Sequence, residues 1–307
     1  MFSARQPPFA WSVSALDKLK KHGVLRKLVQ AASGLAANAH LSGFLSGKIY
    51  AGPLKRFCVP GLNCYSCPGA VLACPIGSLQ SFLGAKHPKF AFYVLGYMSL
   101  AGVLVGRFIC GWLCLFGLIQ ELLFLIPVPK LCVPPRLDRH LRRLKYVMLA
   151  ALVVLLPIIL RDEMGLSAPY FCKWICPAGT LEGGIPLLLL NRGMRSAAHF
   201  LYAWKLAILA IILLLSAVIH RPFCKYLCPL GAFYGLFHRF SFLRLRFDPD
   251  VCVHCGRCAG ICDMQVDPTE EPDSPECIRC GACAKICPAG ALHMDFKAGR
   301  VMKGEKA

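Results

Sequence analysis

The chain has 307 residues, of which 56% are hydrophobic and only 17% charged, with 19 cysteines and a formal net charge of +19. Soluble domains usually carry about 25% charged residues, so this composition excludes an ordinary soluble globular protein and points to a membrane domain with a smaller module attached. Residues 248–296 hold nine acids against three Lys/Arg, about −6, which leaves about +25 on the rest. Those basic residues flank apolar runs and read as the cytoplasmic border of membrane helices. A nucleic-acid surface is the weaker account of the same charge, and no nucleic-acid partner is expected.

Residues 1–23 form a basic tail with neither the apolar core nor the cleavage site of a signal peptide. Four later stretches have the roughly 20 apolar residues that a bilayer crossing needs: 24–46, 90–108, 144–161 and 198–219. Small residues in the first two permit close helix packing. Leu115–Val128 and Leu187–Leu190 are too short to cross and read as interfacial or re-entrant helices. Four crossings put both termini on one face. Lys/Arg are denser in the tail (Lys18, Lys20, Lys21), in the second connection (Arg136, Arg139, Arg142, Arg143) and after the last span (Arg221, Lys225, Arg239). That bias assigns both termini to the cytoplasm of a bacterial-type inner membrane, with a multi-pass chain in a lipid bilayer.

A short repeat begins with cysteine: CPIGSL at Cys74, CLFGLI at Cys114, CPAGTL at Cys176, CPLGAF at Cys228 and CPAGAL at Cys287. Cys110, Cys172, Cys224 and Cys283 stand four residues upstream of the last four copies. Proline in the first helical turn gives up no needed hydrogen bond, so each cysteine sits at a helix start. The free N–H groups there stabilise a thiolate, and the glycine lets backbone approach a bulky cofactor. Cys110, Cys114, Cys224 and Cys228 fall on one face of the four-span arrangement, enough for one [4Fe–4S] cluster. Cys58, Cys64, Cys67, Cys74, Cys172 and Cys176 fall on the other, enough for one further cluster with two thiols over. Which four bind is open, and a disulfide between two is the alternative. Cys132 is unmatched.

Cys252, Cys255, Cys258 and Cys262 have the spacing C-x2-C-x2-C-x3-C, and Cys277, Cys280, Cys283 and Cys287 repeat it with a trailing proline. This spacing marks a bacterial two-cluster ferredoxin, in which the fourth cysteine of each run serves the other cluster. One cluster therefore takes Cys252, Cys255, Cys258 and Cys287, and the second takes Cys277, Cys280, Cys283 and Cys262. Zinc also binds CxxC pairs, but two complete runs of four favour clusters. The fold expected is mainly α: a four-helix transmembrane bundle with short interfacial helices over 24–247, then an α+β two-cluster ferredoxin domain over 248–296 and a tail over 297–307. The acidic module offers a docking face for a basic redox partner or serves solubility.

The stretches GRFICGWLCLFGLIQE from Gly106, RPFCKYLCPLGAF from Arg221 and the paired ferredoxin runs resemble the NapH/NosR-like ferredoxin-type membrane proteins. The resemblance spans roughly residues 24–296. It implies four transmembrane helices, cytoplasmic termini, and electron passage between a quinone pool or cytoplasmic donor and a partner reductase or its maturation system. Leu115 stands where the family motif has proline, and no NosR-type flavin-binding domain is present in these residues.

His40, His199 and His220 are candidates for a haem, or simply interfacial side chains. Gln120 and Glu121 are candidates for a quinone site, or a solvated helix face. Asp162 and Glu163 read as a solvated loop. There is no Ser/His/Asp set and no phosphate-binding loop, so no catalytic residue is assigned. The expected role is an electron-transfer subunit, with a redox-dependent assembly or regulatory factor for another metalloenzyme as the alternative. An Rnf-like ion-translocating subunit is disfavoured, because the four spans hold no acid. If both faces hold clusters, a jump across about 30 Å of hydrocarbon needs a bridging cofactor or re-entrant helices.

Overall fold

The computed structural model describes residues 23–85, 89–162, 167–190, 193 and 200–296. The tails at 1–22 and 297–307, Glu163 and His199 lie outside them. The chain is mainly helical, with ferredoxin-type elements at its C-terminal end.

Among the described residues, Phe200–Val218 is the one helix long and apolar enough to cross a membrane. Lys89–Val105 has 17 residues, about 25 Å at 1.5 Å per residue. Gly106, at φ +56°, ends it. The stretch at 144–161 belongs to a longer rod. The polar helix Pro135–Val147 continues as π-helical Met148–Leu155 and then Leu156–Ile159. Pro157, which cannot donate to the carbonyl four residues back, follows the widened turns. Phe92, Leu100, Leu104, Ile158, Phe200, Ile211 and Leu214 leave these rods with an exposed apolar outer surface.

The stretch at 24–46 is not one helix, as its hydrophobicity suggests. Val24–Ala37 stops where the Asn38 side chain donates to Gly34 O (2.9 Å) and to Asn63 Oδ1 (3.1 Å), and a separate short helix covers Ser42–Ser46. The buried side of Val24–Ala37 carries Arg26 and Gln30, and it packs against Leu115–Phe124. Gln120 and Glu121 on that second helix are 0% and 3% exposed, so the solvated-face expectation for them is wrong. Arg26 and Arg221 both pair with Glu121, at 2.8 and 2.9 Å. Two cations over one carboxylate make its burial affordable.

Strands β1 (Leu243–Phe247) and β2 (Leu292–Phe296) pair antiparallel, with Leu245 opposite Met294. Between them lie both ferredoxin runs and the short helices Arg257–Gly260 and Ala282–Ile286. This module is locked to the helical domain by buried charge. Glu276 accepts from Arg107 (2.8 Å) and Lys145 (2.6 Å), and Arg279 donates to Val105 O (3.1 Å) and Ser241 Oγ (2.6 Å). One acid of the acidic module thus faces inward rather than toward solvent or a partner. A single core runs from Leu62, Cys74 and Ile76 through Cys110, Phe116, Phe223 and Tyr234 to Met264, Val266 and Ile278.

Candidate metal centres

The two ferredoxin runs fold as near copies. His254 and Arg279, the second residue after the leading cysteine in each run, both sit at φ +50°. That left-handed turn, unusual for a side chain larger than glycine, aims the His254 N–H at Cys252 Sγ and the Arg279 N–H at Cys277 Sγ, each at 3.4 Å. Gly256 and Gly281 follow at φ +69° and +79°. Cys252, Cys255, Cys258 and Cys287 line one cavity, and Cys262, Cys277, Cys280 and Cys283 line another. These are the two groupings expected from the spacing, here called the outer and inner sets. Burial pushes the inner thiols up, and neighbouring thiols add to it at Cys262, held at about 12, and at Cys277, held at about 11.

Cys110, Cys114, Cys224 and Cys228 also converge, although 118 residues separate the first from the last. All four are buried, at 5–6% exposure. Cys114 and Cys228 each begin a helix, Leu115–Phe124 and Pro229–Leu236. The helix forms after Cys114 although Leu115 replaces proline. The Gly231 N–H points at Cys228 Sγ (3.5 Å), and Leu62 N–H and Gly117 N–H at the Cys114 thiol. Gln120 Nε2 donates to Cys224 Sγ (3.0 Å) while its Oε1 accepts from Phe223 N–H (3.1 Å). Burial raises Cys114 to about 12, and the neighbouring Cys224 and Cys110 thiols add to it. Arg221 donates to Cys110 O (2.6 Å), and its guanidinium fills the space that a Cβ at Gly117 would take, 3.0 Å away. The Nε groups of Arg107 and Arg221 are buried without a hydrogen-bond partner.

This arrangement suits an anionic four-thiolate cluster. Burial raises Cys114, Cys224 and Cys228, yet N–H donors and the guanidinium groups of Arg107 and Arg221 lie beside the set, so a cationic core bound by four thiolates suits it. Among the described residues no group of three or more Cys, His, Asp or Glu is spaced to hold a single ion. All nineteen cysteines are free, so the disulfide alternative finds no bridge. Cys132 is exposed and apart.

Of the six remaining thiols, Cys64, Cys74, Cys172 and Cys176 draw together. A Cβ at Gly77 would lie 3.7 Å from Cys172 Sγ and from Cys74 Cβ. One at Gly179 would lie 3.7 Å from Cys176 Sγ and 3.8 Å from Cys64 Sγ. Cys67 lies beside Cys64, near Gly69 and Ala70 N–H and Lys55, and Cys58 lies beside Cys74 and makes a hydrogen bond with Ser78, whereas Cys172 and Cys176 have Cys64 and Cys74 as their thiol neighbours. The Glu182 carboxylate accepts from Cys64 N–H at 2.7 Å, and burial holds it up at about 7.

The segment carrying Cys58–Cys74 does not stay across the protein from Cys114, as the four-span arrangement places it. It re-enters: a Cβ at Gly61 would lie 3.2 Å from Cys114 Cα, and Tyr234 O–H donates to Pro60 O at 2.8 Å. On the opposite flank the Ile278 carbonyl leaves no room for a side chain at Gly111, and Trp112 Nε1 donates to Arg279 O (3.1 Å). The thiol sets therefore adjoin in the order outer, inner, Cys110 set, Cys64 set.

Sequence reading missed Gln80, Glu182, Arg107, Arg221 and Tyr234. Only the glutamines had a signal, since Gln80 and Gln120 each follow their repeat cysteine by six residues. His40 bonds Pro68 O (3.1 Å) and His220 lies near Glu121 (3.7 Å) and Asp263 (3.9 Å), so these two do not face each other as haem ligands.

The family described as "4Fe-4S binding domain" matches residues 87–134, 164–190 and 202–247, and a second domain of the same description matches 271–293. The uncharacterized protein MJ0750 of Methanocaldococcus jannaschii is 31% identical over 207 residues, 66% of this chain and 78% of that protein. The methylamine utilization ferredoxin-type protein MauN of Methylorubrum extorquens is 28% identical over 62% of this chain and 60% of its own length. The regulatory protein NosR of Stutzerimonas stutzeri is 28% identical over 57% of this chain, which spans only 22% of NosR. No solved structure matches. The chain belongs to the NapH/NosR-like family of ferredoxin-type [4Fe–4S]-binding electron-transport proteins.

Proposed function

We propose that this chain is a membrane-bound electron-transfer subunit that passes electrons between a quinone pool or cytoplasmic donor and a partner reductase. The observation that carries it is the unbroken adjacency of thiol sets, from exposed Cys255 at the module surface to the Cys110 set in the buried core. [4Fe–4S] clusters supply one-electron exchange when bound, and no substrate chemistry is needed in the chain itself.

The residues here fix where that exchange occurs. The outer set, with Cys252, Cys255, Cys258 and Cys287, holds the cluster that meets soluble partners. The inner set, with Cys262, Cys277, Cys280 and Cys283, holds the second. Cys110, Cys114, Cys224 and Cys228 hold a third. Arg107 and Arg221 keep positive charge beside these buried thiolates, and the Glu276 contacts hold the module against the helices. The apolar helices, with Phe200–Val218 the longest, carry the chain in the bilayer, and the basic flanks put both termini in the cytoplasm. Their exposed apolar surface supports this.

The test is electron exchange in lipid vesicles. The full chain, reduced by a soluble ferredoxin donor, should reduce an embedded quinone, and Cys224→Ser with Cys228→Ser should cut that rate at least tenfold. An unchanged rate in the double variant rejects the route through the Cys110 set. The alternative, an assembly or regulatory factor, predicts no quinone reduction at all and iron or electron delivery to an immature metalloenzyme.

A further inference from the structure

Two halves of the helical domain make the same contacts around different cysteines. Gln120 follows Cys114 by six residues; its Nε2 donates to Phe116 O (3.2 Å) and Cys224 Sγ (3.0 Å), and its Oε1 accepts from Phe223 N–H (3.1 Å). Gln80 follows Cys74 by six residues; its Nε2 donates to Ile76 O (3.2 Å) and Cys172 Sγ (3.4 Å), and its Oε1 accepts from Phe171 N–H (2.9 Å). In both halves the bonded cysteine leads a C-x3-C pair after a Phe, and both Phe side chains are fully buried. The second cysteine of each pair caps a helix start and accepts from the glycine three residues on, Gly231 N to Cys228 Sγ at 3.5 Å and Gly179 N to Cys176 Sγ at 3.3 Å.

A glutamine buried to 0% exposure with all its polar atoms used is a costly way to pack a core. Its recurrence at both positions points to one task, orienting a sulfur. Cys74, Cys172 and Cys176 thus match Cys114, Cys224 and Cys228. The first half has no cysteine four residues before Cys74, where the second half has Cys110. Cys64 fills that role from the loop. Its Sγ lies 3.1 Å from the Cβ position of Gly183, and Glu182 fixes its backbone N–H.

We propose that Cys64, Cys74, Cys172 and Cys176 form a fourth [4Fe–4S] site, an internal repeat of the Cys110 site that adjoins it through Pro60–Leu62. Cys58 and Cys67 are not ligands. The site extends the electron path deeper into the helical domain without a jump across the hydrocarbon. This rests on Cys110, Cys114, Cys224 and Cys228 being a cluster site themselves, and the test separates the two claims.

Full-length chain is purified anaerobically, and iron is counted beside EPR during redox titration. Cys172→Ser with Cys176→Ser should lose about four irons and one signal while the rest persist. Cys58→Ala and Cys67→Ala should lose none. If Cys224→Ser with Cys228→Ser loses iron and the Cys172/Cys176 variant does not, the fourth site is overturned alone. If neither loses iron, the cluster at Cys110 falls too. Iron loss in Cys58→Ala or Cys67→Ala overturns the choice of four. Gln80→Leu removes the donor to Cys172 Sγ and the acceptor of the Phe171 N–H but no thiol, and decides the matter if the serine variant does not fold. It should keep its iron and move one midpoint potential downward, and an unmoved titration overturns the proposal.

Discussion

In the ferredoxin module each thiol set comes from two short runs, three cysteines from one and the fourth from the other. In the helical domain each set is gathered from segments about 100 residues apart, and no run supplies more than two members of the Cys110 set. The module orients its sulfurs with backbone N–H groups in left-handed turns at His254 and Arg279. The helical domain adds side chains, Gln80 and Gln120, and buried guanidinium groups. Local loops can shape a site cheaply, whereas a site assembled from distant helices needs dedicated residues to hold each sulfur.

That contrast can be broken experimentally. The largest effect is expected from Cys224→Ser with Cys228→Ser, which should remove about four irons while EPR of the outer and inner sets persists. Loss of every signal would mean that the module depends on the helical site and the two regions are not separable. Next is Glu276→Ala, which strands Arg107 and Lys145. Breaking a buried ion pair costs about 3–5 kcal/mol, and limited proteolysis between residues 237 and 248 should accelerate as the module lifts. Burial pushes the Glu276 carboxyl up, but Arg107 and Lys145 more than reverse this and hold it at about 2, so at neutral pH the partners lose a full charge in the variant.

Gln120→Leu sharpens the comparison from the other side. It leaves the Phe223 N–H unsatisfied, about 1–3 kcal/mol, and removes a donor from Cys224 Sγ, so one midpoint potential should fall while the module's two stay fixed. The smallest effect is Tyr234→Phe, which deletes the hydrogen bond to Pro60 O and should lower stability by about 1 kcal/mol in a thermal melt, with iron content unchanged.

The same contrast explains what could be read in advance. Ligand groupings in the module follow from spacing, because a C-x2-C-x2-C run has few ways to close around one cluster. Cys110, Cys114, Cys224 and Cys228 share a repeat in the sequence, and the fold gathers the four in one core. Cys64, Cys74, Cys172 and Cys176 were not separable from Cys58 and Cys67, because the loop's re-entry is set by Gly61 against Cys114 and by Tyr234, contacts that no local pattern encodes. Hydropathy misread Val24–Ala37 for a related reason. Its apolar majority hides Arg26 and Gln30, which turn inward to Glu121 and to Cys114 O. Glu121 looked like a solvated acid because its two arginine partners lie 95 and 100 residues away.

The central claim is that the helical domain holds clusters of its own in line with the ferredoxin pair. Iron and acid-labile sulfide per chain in the anaerobically purified full-length protein test it most directly. About sixteen of each are expected, four sets of four. About eight, with Mössbauer spectra fully explained by the ferredoxin pair, would contradict it.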